Sequence, residues 1–260
     1  MSAQPARWNG SALAEDAADR FHADGYLAVP SAIVDLSDIA SVRAQIASLF
    51  DLGDRLDTTT YRDLSTGTRA APLVPEIVFP SRLAPRLLKS RAYAAAEQIA
   101  CKLLGVNRVL LHFDHAIFKP ALTGGSTRWH QDVFFDPQHD CPMATVWVAL
   151  VNVDEHNGCM NFIPGSHRGP VYPHEAIGDH GRHAVGFDDS PAVSCPLPAG
   201  GVTVHQARTL HMTGPNNSDD VRAAWILKLL PEPRSAPRRL ASQARAAIRG
   251  TAHRSAAGVP

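Results

Sequence analysis

Trp129-His130-Gln131-Asp132 and, far downstream, Thr209-Leu210-His211-Met212-Thr213 are the stretches on which the reading of this chain turns. On an extended strand, residues two apart point to the same face, so His130 and Asp132 can share one side. A histidine brought in from a distant strand, His211, would complete two imidazoles and one carboxylate on one face of a metal ion. Such a set leaves coordination positions open for small ligands. Arg222 follows on the next apolar run. Its planar guanidinium suits a two-pronged, charge-assisted grip on a carboxylate.

The remaining chain reads outward from that constellation. Helical spacing of Leu13, Ala17 and Phe21 predicts a helix over residues 12–23, stopped by Gly25. Residues 26–30 read as a short strand. A helix capped by Asp35 or Ser37 runs to about Phe50, with Ile39, Val42, Ile46 and Leu49 on one stripe. Residues 51–80 show no clear period and are expected to be mostly loop. Residues 90–104 form a helix ending at Gly105. From 108 onward the period changes to strand: 109–119, 145–153, 159–163 after the Asn157-Gly158 turn, 202–205, 210–213 and 221–230. Residues 171–199, rich in Gly, Pro, His and Asp, are expected to form a long excursion of the kind that often serves as a lid. Helices first and strands later predict an α+β protein with a mainly β, sandwich-like core.

Bulk properties narrow the function. The chain has 260 residues and a formal net charge of +0, so nothing in it points to nucleic acid or an acidic membrane surface. No apolar run approaches the roughly 20 residues of a membrane helix. The four cysteines, Cys101, Cys141, Cys159 and Cys195, contain no Cys-x-x-Cys pair and read as reduced thiols in a cytoplasmic protein. One domain over 1–235 and a basic helix or tail over 236–260 account for the length; Arg234, Arg238, Arg239, Arg245, Arg249 and Arg254 fall in or beside that tail.

Imidazole and carboxylate donors suit Fe(II), Mn(II) or Zn(II). Zinc hydrolases use similar donors, but the helical His-Glu-x-x-His motif is absent from the sequence. A metal-binding jelly-roll without catalysis is a further alternative.

His130-Gln131-Asp132, Asn157-Gly158-Cys159 leading to Ile163-Pro164-Gly165-Ser166-His167, and His211 with Gly214-Pro215-Asn216 and Arg222 resemble the phytanoyl-CoA dioxygenase family. Phe21-His22-Ala23-Asp24-Gly25-Tyr26 resembles that family's opening helix and strand. The likeness spans about 12–231. It implies a double-stranded β-helix (jelly-roll, cupin-like) core flanked by N-terminal helices, and Fe(II), 2-oxoglutarate and O2 as cofactor and cosubstrates. It implies His130, Asp132 and His211 as iron ligands and Arg222 as partner of the far carboxylate of 2-oxoglutarate. Thr213, Lys119 and Trp147 match positions near the cosubstrate, and His167 reads as structural. Phe134, Phe135, His115 and residues 171–199 are candidate walls for a small-molecule substrate, though Phe134 and Phe135 also suit an ordinary core. Gly200-Gly201 stands where many relatives have Gly-Asp. Retention of Asp132 argues against halogenation, for which the family's carboxylate is lost. The expected reaction is hydroxylation of an unactivated C–H bond, as in tailoring of a secondary metabolite, with release of succinate and CO2. Ring closure, epimerisation or desaturation are the alternatives within the same chemistry.

Overall fold

The β-rich runs of the second half pair into two antiparallel sheets with the N-terminal helices stacked outside. The computed structural model describes Ala6, Trp8 and residues 13–137 and 140–233. The expected basic tail over 236–260 lies outside the described residues. The larger sheet has seven strands in the order β1 (Tyr26–Val29), β11 (Val202–His205), β6 (Ala144–Ala149), β13 (Arg222–Pro231), β4 (Val109–Lys119), β3 (Pro75–Val78) and β2 (Tyr61–Asp63). The smaller sheet runs β10 (Val193–Cys195), β7 (Met160–Phe162), β12 (His211–Thr213) and β5 (Thr127–His130). A hairpin of β8 (His174–Ile177) and β9 (Gly181–Ala184) packs beside β5. This is the expected jelly-roll, an α+β fold with a mainly β core.

Alternation along the central strands decides what faces what. Ala116 and Phe118 of β4, Val146 and Val148 of β6, and Ala223, Trp225 and Leu227 of β13 turn outward. There they meet α1 (Ala17–Asp24), α2 (Leu36–Phe50) and α4 (Arg91–Leu104). The intervening Ile117, Trp147, Ala149, Ala224 and Ile226 turn inward against Phe162, Met160 and Cys159 of the smaller sheet. Both faces of these strands are buried, which is why β6 and β13 read as nearly continuous apolar runs. The same parity carries His115, Lys119, Thr145, Arg222 and Lys228 to the inner face.

Local signals place the helices well. Ser90 accepts a hydrogen bond from the Tyr93 N–H at 3.1 Å and caps α4, and Gly105 ends it in the left-handed region at φ +63°. Asp35 occupies the cap position of α2 but makes no side-chain cap bond. The first helix begins at Ala17 rather than at residue 12.

Residues 51–80 are mostly loop, as expected, but β2 and β3 within them lengthen the larger sheet, and α3 (Pro80–Leu83) begins there. These strands are three and four residues long, too short to show a period, and β3 exists because β4 offers it a free edge. The 171–199 excursion holds the β8–β9 hairpin and β10. Among the described residues, no helix is long and apolar enough to cross a membrane.

Asp114 on β4 ties the layers beside the site. It is fully buried and accepts hydrogen bonds from the Ser81 N–H at 3.1 Å, the Ser81 hydroxyl at 2.8 Å and the Trp225 Nε1–H at 3.1 Å. Asp114→Ala would strand a buried indole N–H and is expected to lower stability by about 3 kcal/mol, read as a shifted urea midpoint with unchanged slope.

Candidate metal and cosubstrate site

Strand β5 delivers His130 at its last residue, and β12 delivers His211 at its first; the two are direct cross-strand partners. Their ring centroids lie 4.1 Å apart. Each ring is held the same way, with His130 Nδ1 2.7 Å from the carbonyl of Arg128 and His211 Nδ1 2.9 Å from the carbonyl of Thr209. A carbonyl can only accept, so Nδ1 carries the proton and Nε2 is left as a lone pair for a metal. Asp132 does not lie on the strand as expected. Gln131 is extended (φ −121°, ψ 129°), and Asp132 then opens a short helix, α5 (Asp132–Phe135). Because Gln131 is extended, His130 and Asp132 keep the shared side that a spacing of two predicts, although Asp132 lies just past the end of β5. One ligand atom from each of His130, Asp132 and His211 lies within 4.8 Å of the others, a grouping that could hold one metal ion.

The electrostatics suit a cation. Burial pushes both histidines below their ordinary pKa, against the pull of Asp132, so both are neutral near pH 7. Burial alone would raise Asp132, but Lys228, then His205 and His211, outweigh it and hold the carboxyl well below the usual carboxylate range. Lys228 Nζ donates to Asp132 Oδ1 at 2.9 Å, and the Thr145 hydroxyl donates to Oδ2 at 2.8 Å. His205 Nε2 stands 3.3 Å from Oδ2. Sequence reasoning missed these three neighbours. Lys228 and Thr145 could have been found, because each shares strand parity with a named residue, Arg222 and Trp147.

Gln131, between two of the candidate ligands, is fully buried. Its amide donates to the carbonyls of Pro170 at 3.1 Å and Arg208 at 2.7 Å, and its side-chain oxygen accepts from the Tyr172 N–H at 2.8 Å.

Deeper in the same cleft, Arg222 and Lys119 face each other as cross-strand partners, and both are almost wholly buried. Lys119 Nζ donates to the Thr213 hydroxyl at 2.8 Å and to two backbone carbonyls. Arg222 Nη2 reaches the same hydroxyl at 3.4 Å, whereas its Nε and Nη1 have no hydrogen-bond partner among the described residues. The guanidinium lies 5.5 Å from the Trp147 ring centroid. Burial pushes Arg222 down to about 9, so it remains charged at neutral pH. Burial, and then Arg222 itself, push Lys119 well down. Among the described residues no carboxylate is in ion-pair range of either. Leaving a charge dehydrated and unpaired costs several kcal/mol, so stability alone does not explain this pair. An anionic group with two oxygens does.

A cavity of about 370 Å³ opens beside the triad. His115 lines it and also lines the inner cleft. Phe135 lines it too, with its ring 5.9 Å from that of His130. Phe134 instead stacks on His174 at 4.1 Å. Both phenylalanines are substantially exposed, at 37% and 49%, so the ordinary-core reading of the pair does not hold. His167 is structural as expected, with Nε2 3.1 Å from the carbonyl of His22. A larger groove of about 750 Å³ along α2 shares no lining residue with the triad.

Glu76, from the stretch expected to be loop, closes one wall of the 370 Å³ cavity. It is 2% exposed, with Oε1 2.5 Å from His115 Nδ1 and Oε2 2.5 Å from Arg62 Nε. Burial would raise its pKa, but His115 and Arg62 outweigh this and lower it to about 2. Nothing in the local sequence marks Glu76, because its partners arrive from β4 and β2.

A jelly-roll that brings two neutral imidazoles and a carboxylate together above a buried, unpaired cation defines the class of metal-dependent oxygenases with an acidic cosubstrate. The chain belongs to the phytanoyl-CoA dioxygenase (PhyH) family, whose model matches residues 21–224. Members of this family are Fe(II)/2-oxoglutarate-dependent dioxygenases. Among solved structures, EvdO2 from Micromonospora carbonacea var. aurantiaca, complexed with 2-oxoglutarate, superposes with a TM-score of 0.73 at 30% identity, covering 87% of this chain and 94% of that one. The epimerase SnoN, in complex with Fe3+, alpha ketoglutarate and nogalamycin RO, gives 0.64 at 26% identity, covering 84% and 83%. A "Probable alpha-ketoglutarate-dependent hypophosphite dioxygenase" of Stutzerimonas stutzeri is 37% identical over 133 residues, 48% of this chain and 45% of that protein. The "Phytanoyl-CoA dioxygenase domain-containing protein 1" of Danio rerio is 29% identical over 154 residues, 55% and 53%. The chain thus spans about half the length of these curated relatives.

The wall made by Glu76 has a measurable signature. Its folded pKa is depressed from 4.5 to about 2, so its contribution is complete above pH 4.5 and is lost as pH falls toward 2. Stability is expected to drop by roughly 3 kcal/mol across that window, and Glu76→Gln should remove that component of the acid-unfolding curve.

Proposed function

We propose that this chain is an Fe(II)/2-oxoglutarate-dependent dioxygenase that hydroxylates an unactivated C–H bond of a small organic molecule. The observation that carries this reading is the pairing of the His130–Asp132–His211 cluster with a buried guanidinium that has no protein counter-ion. In it, His130 Nε2, the Asp132 carboxylate and His211 Nε2 hold the iron. Arg222 takes the far carboxylate of 2-oxoglutarate, with Thr213 and Lys119 completing the grip and Trp147 walling the cosubstrate. When bound, iron, 2-oxoglutarate and O2 supply an oxidation that releases succinate and CO2.

The chain's own residues orient and shield. The carbonyls of Arg128 and Thr209 hold the histidine tautomers, and Lys228 and Thr145 hold Asp132 in its ionised form. Trp147 and Ile226, both buried, keep bulk water from the cosubstrate cleft. The 370 Å³ cavity, with Phe135 and His115 in its walls, receives the substrate.

A role in tailoring secondary metabolites is supported by the likeness to SnoN, described as an epimerase from nogalamycin biosynthesis, at 28% identity and a TM-score of 0.63. That likeness also makes epimerisation the second reading, and product mass separates the two, since hydroxylation adds one oxygen. One domain over 1–235 carries the activity. A cytoplasmic setting fits the four free cysteines and a ferrous site.

Anaerobic addition of Fe(II) and 2-oxoglutarate should produce the visible charge-transfer band of a chelated keto acid. Arg222→Ala is expected to weaken 2-oxoglutarate binding by about 2–5 kcal/mol while metal binding persists. Asp132→Ala should abolish metal binding. An unchanged 2-oxoglutarate affinity in the Arg222 variant would sink the assignment of that residue, and no succinate with any substrate would sink the activity.

A further inference from the structure

The 370 Å³ cavity has more positive charge than its carboxylates balance. Its side-chain cations are Arg62, Arg128, Arg182 and Lys228, and its carboxylates are Glu76, Asp132 and Asp136. Each carboxylate is already engaged. Glu76 binds Arg62 and His115, Asp132 binds Lys228 and Thr145, and Asp136 binds His112 at 2.6 Å. Arg128 and Arg182 have no carboxylate in ion-pair range among the described residues, and Arg182 Nη1 donates only to the carbonyl of Gly181, at 2.6 Å. A divalent metal at the triad adds to the surplus. The far carboxylate of 2-oxoglutarate does not cancel it, because Arg222 and Lys119 lie in the inner cleft, outside this cavity's lining.

One of these cations is pre-positioned. Glu76 is buried and takes Arg62 through Nε alone, and the two terminal nitrogens of Arg62 have no hydrogen-bond partner among the described residues. The same carboxylate takes Nδ1 of His115, leaving Nε2 without a partner among the described residues. A carboxylate can only accept, so it fixes both groups as donors toward itself and sets the guanidinium and imidazole at defined angles in the wall. Glu76 is itself satisfied by these two bonds, so the terminal nitrogens of Arg62 and the second ring nitrogen of His115 line the cavity as groups left over for a ligand. Phe113, Phe135 and Leu64 also line the cavity and suit carbon.

We infer that this cavity takes a small organic acid: the Arg62 guanidinium and Arg182 grip its oxyanion, and Glu76 is the positioning residue that holds Arg62 and His115 in place. The inference rests on the oxygenase reading and adds the chemistry of its substrate. Arg182 lies on β9 of the hairpin and Arg62 on β2 at the sheet edge, so the acid would bridge the two flanks of the cavity mouth. Bidentate, charge-assisted bonds from two arginines give both affinity and orientation, and they present the carbon skeleton toward the triad.

The test uses the full chain loaded with Co(II) and 2-oxoglutarate, with inorganic phosphate as the probe. Formation of the loaded site is followed by its Co(II) absorption, and phosphate binding by paramagnetic relaxation of the 31P signal. Phosphate is expected to show saturable relaxation while the Co(II) spectrum stays that of the 2-oxoglutarate complex. Arg182→Gln and Arg62→Gln should each weaken phosphate by roughly tenfold or more. Glu76→Gln should weaken it as well, although it touches no phosphate, and all three should keep the Co(II) spectrum. A parallel titration with acetate, read on its methyl protons, tells phosphate-type from carboxylate-type acids. A normal Co(II) spectrum with no saturable phosphate or acetate effect, or with an effect untouched by all three substitutions, overturns this inference alone. Failure to form the Co(II)–2-oxoglutarate spectrum overturns the oxygenase reading and this inference with it.

Discussion

A sheet covered on both sides must sort its residues by parity, and that sorting organises this molecule. The outward residues of β6, β11 and β13 that meet the helices are apolar, and on β4 Asp114 is the buried exception, bonded to Ser81 and Trp225. The inward residues divide along each strand: apolar where the smaller sheet packs, polar where the two sheets part. On β13 the inward series runs Arg222, Ala224, Ile226, Lys228, so two cations sit at either end of an apolar pair. One serves the inner cleft and the other touches Asp132. A single strand thereby sets the charge at both ends of the site, and a one-residue slip in its pairing with β4 would bury both cations against the helices.

The second organising fact is the cost of burying charge. Arg222, Lys119, Asp132 and Glu76 are all nearly inaccessible. Asp132 and Glu76 are met by cations and hydrogen-bond donors, which lower both carboxyl pKa values despite burial. Arg222 and Lys119 are met by a hydroxyl and carbonyls only. That asymmetry separates the framework of the site from the part that awaits a ligand.

Much of this was legible in the residues. His211 and Arg222 stand in apolar, β-branched surroundings with clear turns between them, so their strands and inward direction follow from pattern. His130 and Asp132 follow from their spacing of two across an extended Gln131, whereas the helical turn that opens at Asp132 leaves no mark on periodicity. Glu76 and Arg62 were illegible because β2 and β3 owe their existence to an edge supplied by β4, a contact between distant parts of the chain. Phe134 and Phe135 show the converse failure. Two adjacent large apolar residues suggest a core, yet α5 is a single turn at the cavity rim, and one ring finds His174 while the other faces the opening.

The Gln131 side chain anchors the segment leading into the β8–β9 hairpin through main-chain atoms, the carbonyl of Pro170 and the N–H of Tyr172, and also holds the carbonyl of Arg208 before β12. Main-chain groups are the same whatever side chains are attached to them. Those bonds do not depend on the side chains of Pro170 and Tyr172, whereas the bond from the Gln131 N–H to His174 Nε2, at 3.1 Å, does depend on the His174 side chain. Substitutions along this segment that spare His174 can therefore leave its attachment to the turn bearing His130 and Asp132 intact.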